Sequence, residues 1–412
     1  MAATTTSQKV HPLLVRAVVQ ALSAVFREDR YADKVIEYTL RHNPKAGSRD
    51  RAFIAETTYE IVRYYRLLAG ILGKMPEQEV DFWKIVGIHF VLSMPDETPQ
   101  RLPDWKEFQG LNPVEIREKA AQLRADRRFR ESIPDWLDTL GAQELGEKWE
   151  ETLQWLNRPA AVVLRANRLK TDRAALRQIL LEEGIETIPL DNAEALQLQR
   201  RQNVFQTKAF RDGLFEVQDF SSQLVAPFLA PEPRMRVVDA CAGGGGKTLH
   251  LAALMEGRGQ LIALDTLAWK LDELRQRARR AGAGNIETRP IANLKAIKRL
   301  YNSADRLLLD VPCSGLGVLR RNPDSKWKLD PDFIAKLRET QQNILQFYSP
   351  IVKSGGRMVY ATCSILPSEN EYQVQAFLES PAGTEFTLLE EKRILPQDAG
   401  FDGFYMALLE KK

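Results

Sequence analysis

Cysteine is scarce in this chain: there are three, at 241, 313 and 363, and no two stand in C-x-x-C spacing. That excludes a disulfide scaffold and gives no zinc-ligand pattern, so the expectation is a reducing compartment and no structural metal. Histidine is nearly as rare, with only His11, His42, His89 and His250. No apolar run is long enough to span a bilayer. Residues 1–9 are polar and lack the apolar segment of a signal peptide, which points to the cytoplasm and to no membrane partner. An excess of one charge is also missing: the net charge of +3 is compatible with an anionic partner but does not demonstrate one. Repeats and low-complexity tracts are absent too. What is present is an ordinary globular composition, 44% apolar, over a length of 412 residues that suggests two or three domains.

The chain changes character twice. Up to about residue 150 the pattern is helical. Val15, Val18, Val19, Leu22, Val25 and Phe26 recur at helical spacing, Ser48 is placed to cap a further helix, and Asn112-Pro113-Val114-Glu115 forms a capping box. A basic run (Arg124, Arg127, Arg128, Arg130) reads as a solvated helix face. From 151 to 234 short strands (161–164, 185–190, 195–199, 214–217) mix with a helix over 171–183, the pattern of a small α+β module. From 235 to 412 the pattern becomes β-α-β-α, which predicts an α/β domain with a doubly wound, Rossmann-like parallel sheet.

Two stretches of that last region share a form. The apolar run 307–309 ends in a carboxylate, Asp310, and then Val-Pro-Cys313-Ser-Gly breaks regular structure. A basic arm carrying Arg320, Arg321 and Lys326 trails behind it. The strand 356–362 likewise ends in a thiol, Cys363. The cysteines lie 50 residues apart, the length of a helix (about 331–348) and the next strand. If the two strands are neighbours, both thiols face the crevice outside the strands' carboxyl ends, where such sheets bind ligands.

The glycine loop Cys241-Ala242-Gly243-Gly244-Gly245-Gly246-Lys247-Thr248 follows another strand. It fails the P-loop pattern, because Cys241 stands where the first glycine is required, and it fails G-x-G-x-x-G, because Thr248 stands at the last position. A loop that lets backbone approach a nucleoside remains. Asp265, at the end of the next strand, is suited to two ribose hydroxyls. S-adenosylmethionine, with a ribose and no phosphate, fits.

Cys–His hydrolysis lacks its base, since three histidines lie in the helical region and His250 lies inside the helix after the loop. Methyl transfer to carbon 5 of a pyrimidine matches better. A thiolate adds to carbon 6, an acid near ring nitrogen 3 favours the addition, and the methyl comes from the sulfonium. From these residues alone, either thiol could attack.

Here the sequence resembles the RNA cytosine-C5 methyltransferases of the RsmB (Sun/Fmu) type. The resemblance is carried by Asp310-Val-Pro-Cys313-Ser-Gly, Arg321-Asn-Pro-Asp-Ser-Lys326-Trp327, Thr362-Cys363-Ser364 with Glu369-Asn370-Glu371, Gly246-Lys247-Thr248, Gln218-Asp219-Phe220-Ser221-Ser222 and Asp402-Gly403-Phe404. More weakly, Gly47-Ser-Arg-Asp-Arg51 and Ile61-Val-Arg63 are similar to a NusB-like helical domain. The resemblance implies a methyltransferase acting on RNA, ribosomal RNA first, as a monomer. A transfer RNA enzyme and a catalytically idle assembly factor are the rival readings. It assigns Cys363 as nucleophile, Cys313 as the thiol assisting release and Asp310 as the base contact, and it has Lys247 lining the pocket. It implies a cofactor site over 241–247 with Asp265 and Asp310. It gives RNA roles to the helical domain 1–150, to the module 151–234 and to Arg165, Arg320, Arg321 and Lys326. In two places the chain departs from the family pattern. Gly243 and Gly244 stand where Ala-Pro is usual, and after the third strand Ala292-Asn293 replaces the usual aspartate, with Asn293 as the stand-in adenine contact.

Overall fold

The computed structural model describes residues 11–95 and 102–412; the expectation for residues 1–9 falls outside them. The chain divides into two compact units. One runs to Asn157 and takes in Leu319–Asp330, and the other comprises Arg158–Val318 and Pro331–Lys412.

The first unit is helical, built on Pro12–Arg27, Ala32–Arg41, Ser48–Arg63, Tyr65–Leu72, Glu79–Ser93, Pro113–Leu123, Asp135–Leu145 and Lys148–Leu156. The apolar stripe Val15, Val18, Val19, Leu22, Val25 is buried, as its 3.6-residue spacing requires, and meets Ile61, Leu68, Phe82 and Ile85. Ser48 begins its helix and does not cap it. Gly47 is the cap residue, and its N–H donates to Asp50 Oδ2 at 3.3 Å. At Asn112 the side-chain carbonyl accepts from the Val114 N–H, 3.0 Å, and the amide donates to Glu115, 2.8 Å. Three of the four arginines in the basic run are paired locally. Arg127 forms a two-pronged pair with Asp138, Arg128 pairs with Asp126, and Arg130 with Glu150.

The second unit carries two sheets. The small one, β1 (Val163–Ala166), β2 (Thr187–Pro189), β3 (Ala195–Leu198) and β4 (Phe215–Val217), has the order β2-β3-β1-β4 and is antiparallel throughout. The large one contains β5 (Arg236–Asp239), β6 (Gln260–Asp265), β7 (Ile286–Pro290), β8 (Ala304–Asp310), β9 (Val352–Thr362), β10 (Phe386–Ile394) and β11 (Phe404–Lys411), in the order β10-β11-β9-β8-β5-β6-β7. Strands β9-β8-β5-β6-β7 are parallel, with apolar clusters on both faces, while β10 and β11 add an antiparallel edge.

The small sheet and the large sheet, read from sequence as two domains, fall in one unit. Polar bonds tie them together. Asn167 donates to the carbonyls of Gly213 and Ala281, and Glu216 holds Arg277 and Arg280. Among the described residues no helix is long and apolar enough to cross a membrane, and no cluster of three or more His, Cys, Asp or Glu could hold a metal ion.

Candidate active site

Strand β5 is hydrogen-bonded to β6 on one side and β8 on the other, so the chain winds in opposite directions from it. The crevice at that switch point lies between the loops after β5 and β8, and parallel sheets place ligands there. The loop after β5 is the glycine loop. Gly245 has φ +87°, and a Cβ there would lie 2.1 Å from Leu274 Cδ1, so conformation and packing both require glycine. In contrast, a Cβ on Gly243 or Gly246 would meet no atom within 4 Å. The loop therefore faces open space while its back is packed. Asp265, at the tip of β6, anchors it: Oδ2 accepts from the Gly243 N–H and Oδ1 from the Leu267 N–H, both at 2.8 Å.

The carboxylate at the end of β5 marks the strand's end in the sequence but is not among the candidate site residues. Asp239 is 1% exposed. Its Oδ2 accepts from the Thr248 hydroxyl at 2.7 Å, and Oδ1 has no hydrogen-bond partner among the described residues. Burial pushes its carboxyl up to about 7, and the charge of Asp310 adds to the push. Its signal was position: like Asp265 and Asp310, it is a carboxylate closing a parallel strand.

Strands β8 and β9 are adjacent and parallel, and the two thiols meet beyond their tips. Cys313 Sγ and Cys363 Sγ are 3.3 Å apart. Lys247 Nζ donates to Asp310 Oδ2 at 2.6 Å and lies 5.0 Å from the centroid of the Phe404 ring on β11. Burial works against charge on Lys247, but Asp310 and then Cys363 outweigh it and raise its pKa. Cys313 is the opposite case. Its hydrogen bond to Cys363, its burial and the negative charges of Cys363 and Glu369 push its thiol well above the usual range. The arrangement thus keeps Cys313 protonated, its thiol against the Cys363 sulfur.

Backbone bonds fix the loops. The Gly317 N–H donates to the Cys363 carbonyl at 2.9 Å, and the Gly403 N–H donates to the Gly317 carbonyl at 2.8 Å. A Cβ on Gly317 would lie 2.2 Å from the Gly403 oxygen, so this close approach of three loops needs glycine.

The structure brings Asp310, Cys313, Cys363 and Lys247 together, with the glycine loop and Asp265 along the same sheet edge. Cys241 lies two residues beyond Asp239, and burial raises its thiol well above the usual range, which suits it to packing. Ala242 and Gly244 lie in the packed back of the loop, Ala242 in the core cluster and Gly244 with its carbonyl held by Arg277. Asn293 is exposed and caps the short helix Leu294–Lys298, its carbonyl accepting from the Lys295 N–H at 2.9 Å.

Of the residues expected to meet RNA, three are buried. Arg165 is 2% exposed, and its guanidinium donates to Gln218 and to the Gly246 carbonyl. It braces the glycine loop from behind. Arg320 is 6% and Lys326 3% exposed. They belong to Leu319–Asp330, which folds in the helical unit and not as an arm of the catalytic domain. Lys326 Nζ donates to the Arg63 carbonyl and Trp327 Nε1 to the Val62 carbonyl, both at 2.8 Å. Together they cap the carboxyl end of the helix Ser48–Arg63, where their N–H donors satisfy carbonyls the helix leaves unpaired. Burial, and after it the nearby Arg63, lowers the Lys326 pKa well below the usual range. Arg321 alone is partly exposed.

The donor set fits S-adenosylmethionine. The loop offers open backbone, its one cation, Lys247, is held by Asp310, Asp265 stands at the second strand's tip, and the orphaned oxygen of Asp239 is buried at the end of β5.

Residues 226–410 match the family described as 16S rRNA methyltransferase RsmB/F, and residues 133–205 match the ferredoxin-like domain of RsmF/B-like methyltransferases. The chain is 34% identical to the probable ribosomal RNA small subunit methyltransferase B of Synechocystis sp., over 95% of this chain and 97% of that one. It is 36% identical to the ribosomal RNA small subunit methyltransferase B of Pasteurella multocida, over 72% and 69%. The crystal structure of PH0851 superposes with a TM-score of 0.82 at 24% identity, covering 98% of this chain and 100% of that one, which shows the same fold.

Proposed function

Because the chain belongs to the RsmB/F family of 16S ribosomal RNA methyltransferases, we propose that it methylates carbon 5 of a cytosine in small-subunit ribosomal RNA, using S-adenosylmethionine. The bound cofactor supplies an electrophilic methyl group, held by the glycine loop, Asp265 and Asp239. The chain's own residues make the cytosine able to accept it. The target base leaves its stack to enter the crevice. Cys363 adds to carbon 6, and the electron pair moves into the ring so that carbon 5 becomes enamine-like. Asp310 holds the base at its Watson–Crick edge, and Lys247 keeps a positive charge beside the attacking sulfur. Once carbon 5 carries the methyl group, its proton passes to water in the crevice, the ring double bond reforms and the pair of the carbon–sulfur bond returns to Cys363. Cys313 assists this step.

The observation that carries the reading is the pair of thiols 3.3 Å apart beside the Lys247–Asp310 pair. A site with two thiols, a carboxylate and a lysine suits conjugate addition to a pyrimidine better than transfer to an oxygen or an exocyclic nitrogen. The test is transfer of a tritiated methyl group to a 16S ribosomal RNA transcript, followed by bisulfite sequencing of the product. Label that resists removal and maps to one unconverted cytosine is expected. Label on another base, or on a ribose, overturns the reading.

A further inference from the structure

Each thiol is followed by a serine, and the two serines meet on one carboxylate. Glu369 closes the turn Pro367–Glu369 and is 0% exposed. Its Oε1 accepts from the Ser314 N–H at 2.8 Å and from Gln341 Nε2 at 3.0 Å. Its Oε2 accepts from the hydroxyls of Ser314 and Ser364, both at 2.5 Å. The two hydroxyl oxygens are 3.1 Å apart. Gln341, from the helix Pro331–Tyr348, also donates to the Pro312 carbonyl at 3.0 Å. The Tyr360 hydroxyl, within β9, donates to the main-chain carbonyl of Glu369 at 2.7 Å. One buried acceptor thus grips the residue after Cys313, the residue after Cys363 and the helix that joins their strands.

Burying a carboxylate is expensive, and an apolar cluster of the same volume would be a cheaper way to fill the space. What the carboxylate adds is direction, since four donors aimed at two oxygens leave the loops little freedom. We propose that Glu369 is a positioning residue that sets the separation of the two thiols. The proposal rests on the roles given above to Cys313 and Cys363. Each thiol hangs one residue from a gripped serine, so releasing the grip moves both sulfurs. A misplacement of about 1 Å costs on the order of a hundredfold in rate.

The experiment reads thiol geometry separately from methylation. Dibromobimane becomes fluorescent when it bridges two nearby thiols, and it is applied to the full chain without RNA, with Cys313→Ala as the blank. Wild type is expected to bridge. Glu369→Ala should lose bridging, and its kcat on 16S ribosomal RNA should fall about a hundredfold with KM for RNA unchanged. Glu369→Gln can still accept from Ser314 N–H and can donate to both serine oxygens, so it should keep bridging and stay within about tenfold of wild type. Wild-type bridging in Glu369→Ala overturns the proposal. So does a Glu369→Gln protein that bridges normally and is as slow as Glu369→Ala, since charge and not position would then be the point. If Glu369→Ala shows no cooperative melt, the double variant Ser314→Ala/Ser364→Ala takes its place with the same expected loss and the same overturning result. Bridging that is lost in the variant, while wild type leaves ribosomal RNA unmethylated, supports the positioning role and counts against the proposed function instead.

Discussion

Replacing Asp239 by asparagine should change how stability depends on pH, by an amount the structure sets. The folded chain holds this carboxyl at about 7, against an ordinary value of 3.8, chiefly through burial. The folded state therefore binds the proton more tightly than the unfolded chain does. Stability falls as pH rises from about 4 to about 7 and levels off above, with a total loss of about 4 kcal/mol at 1.36 kcal/mol per pH unit. Between pH 5 and pH 8 roughly 2.5 kcal/mol of this loss appears. Asparagine does not titrate. Its carbonyl can take the Thr248 hydroxyl that Oδ2 now accepts, and its amide fills the position of the unpartnered Oδ1. Urea unfolding of both proteins at half-unit steps from pH 5 to pH 8, followed by tryptophan fluorescence, isolates the effect, because every other titrating group cancels in the difference. Asp239→Asn should gain on wild type steadily as pH rises. A difference that stays constant across the range would refute a buried, proton-holding Asp239.

The two thiols predict opposite phenotypes on one denaturing gel with 16S ribosomal RNA: Cys363→Ala forms no adduct and is inactive, whereas Cys313→Ala accumulates a protein–RNA complex. An adduct from Cys363→Ala and none from Cys313→Ala reverses the assignment. Asp265→Ala removes the proposed acceptor for the ribose and also the anchor of the Gly243 and Leu267 N–H groups. Calorimetry should show S-adenosylmethionine bound more weakly by roughly 1.5–3 kcal/mol, and unchanged affinity counts against this strand tip as the ribose site. Trp327→Ala strips the indole donor from the Val62 carbonyl and the edge contact with Tyr65, 5.9 Å between ring centroids. It should destabilise the helical unit by about 3 kcal/mol in chemical denaturation, and a change within about 0.5 kcal/mol refutes the capping role.

Local rules carried much of this protein. Strands β5, β6, β8 and β9 were legible because each is an apolar run closed by a carboxylate or thiol and then by glycine or a polar turn. The helix Pro331–Tyr348 was legible from its period and the proline that opens it. Hence the candidate residues at strand tips, Asp265, Asp310, Cys313 and Cys363, could be named without coordinates. The edge strands β10 and β11 could not be placed. Phe386–Ile394 carries the charged run Glu390-Glu391-Lys392-Arg393 that shields a sheet edge, and Phe404–Lys411 is an apolar run whose period fits a buried helix as well as a strand. Phe404, which faces Lys247, was therefore known only as part of a motif. Charge was the most misleading signal. Arg165, Arg320 and Lys326 look like phosphate contacts in sequence, yet all three are buried. A cation's destination depends on which carbonyls and carboxylates the fold leaves unpaired, and those come from residues far away in the chain. Sequence determined which elements form and which reactive groups end them, because period and turn chemistry act over a few residues. Only tertiary structure decided that two thiols 50 residues apart meet at 3.3 Å on a clamp formed by Glu369, because that distance follows from strand order and from donors converging out of three separate segments.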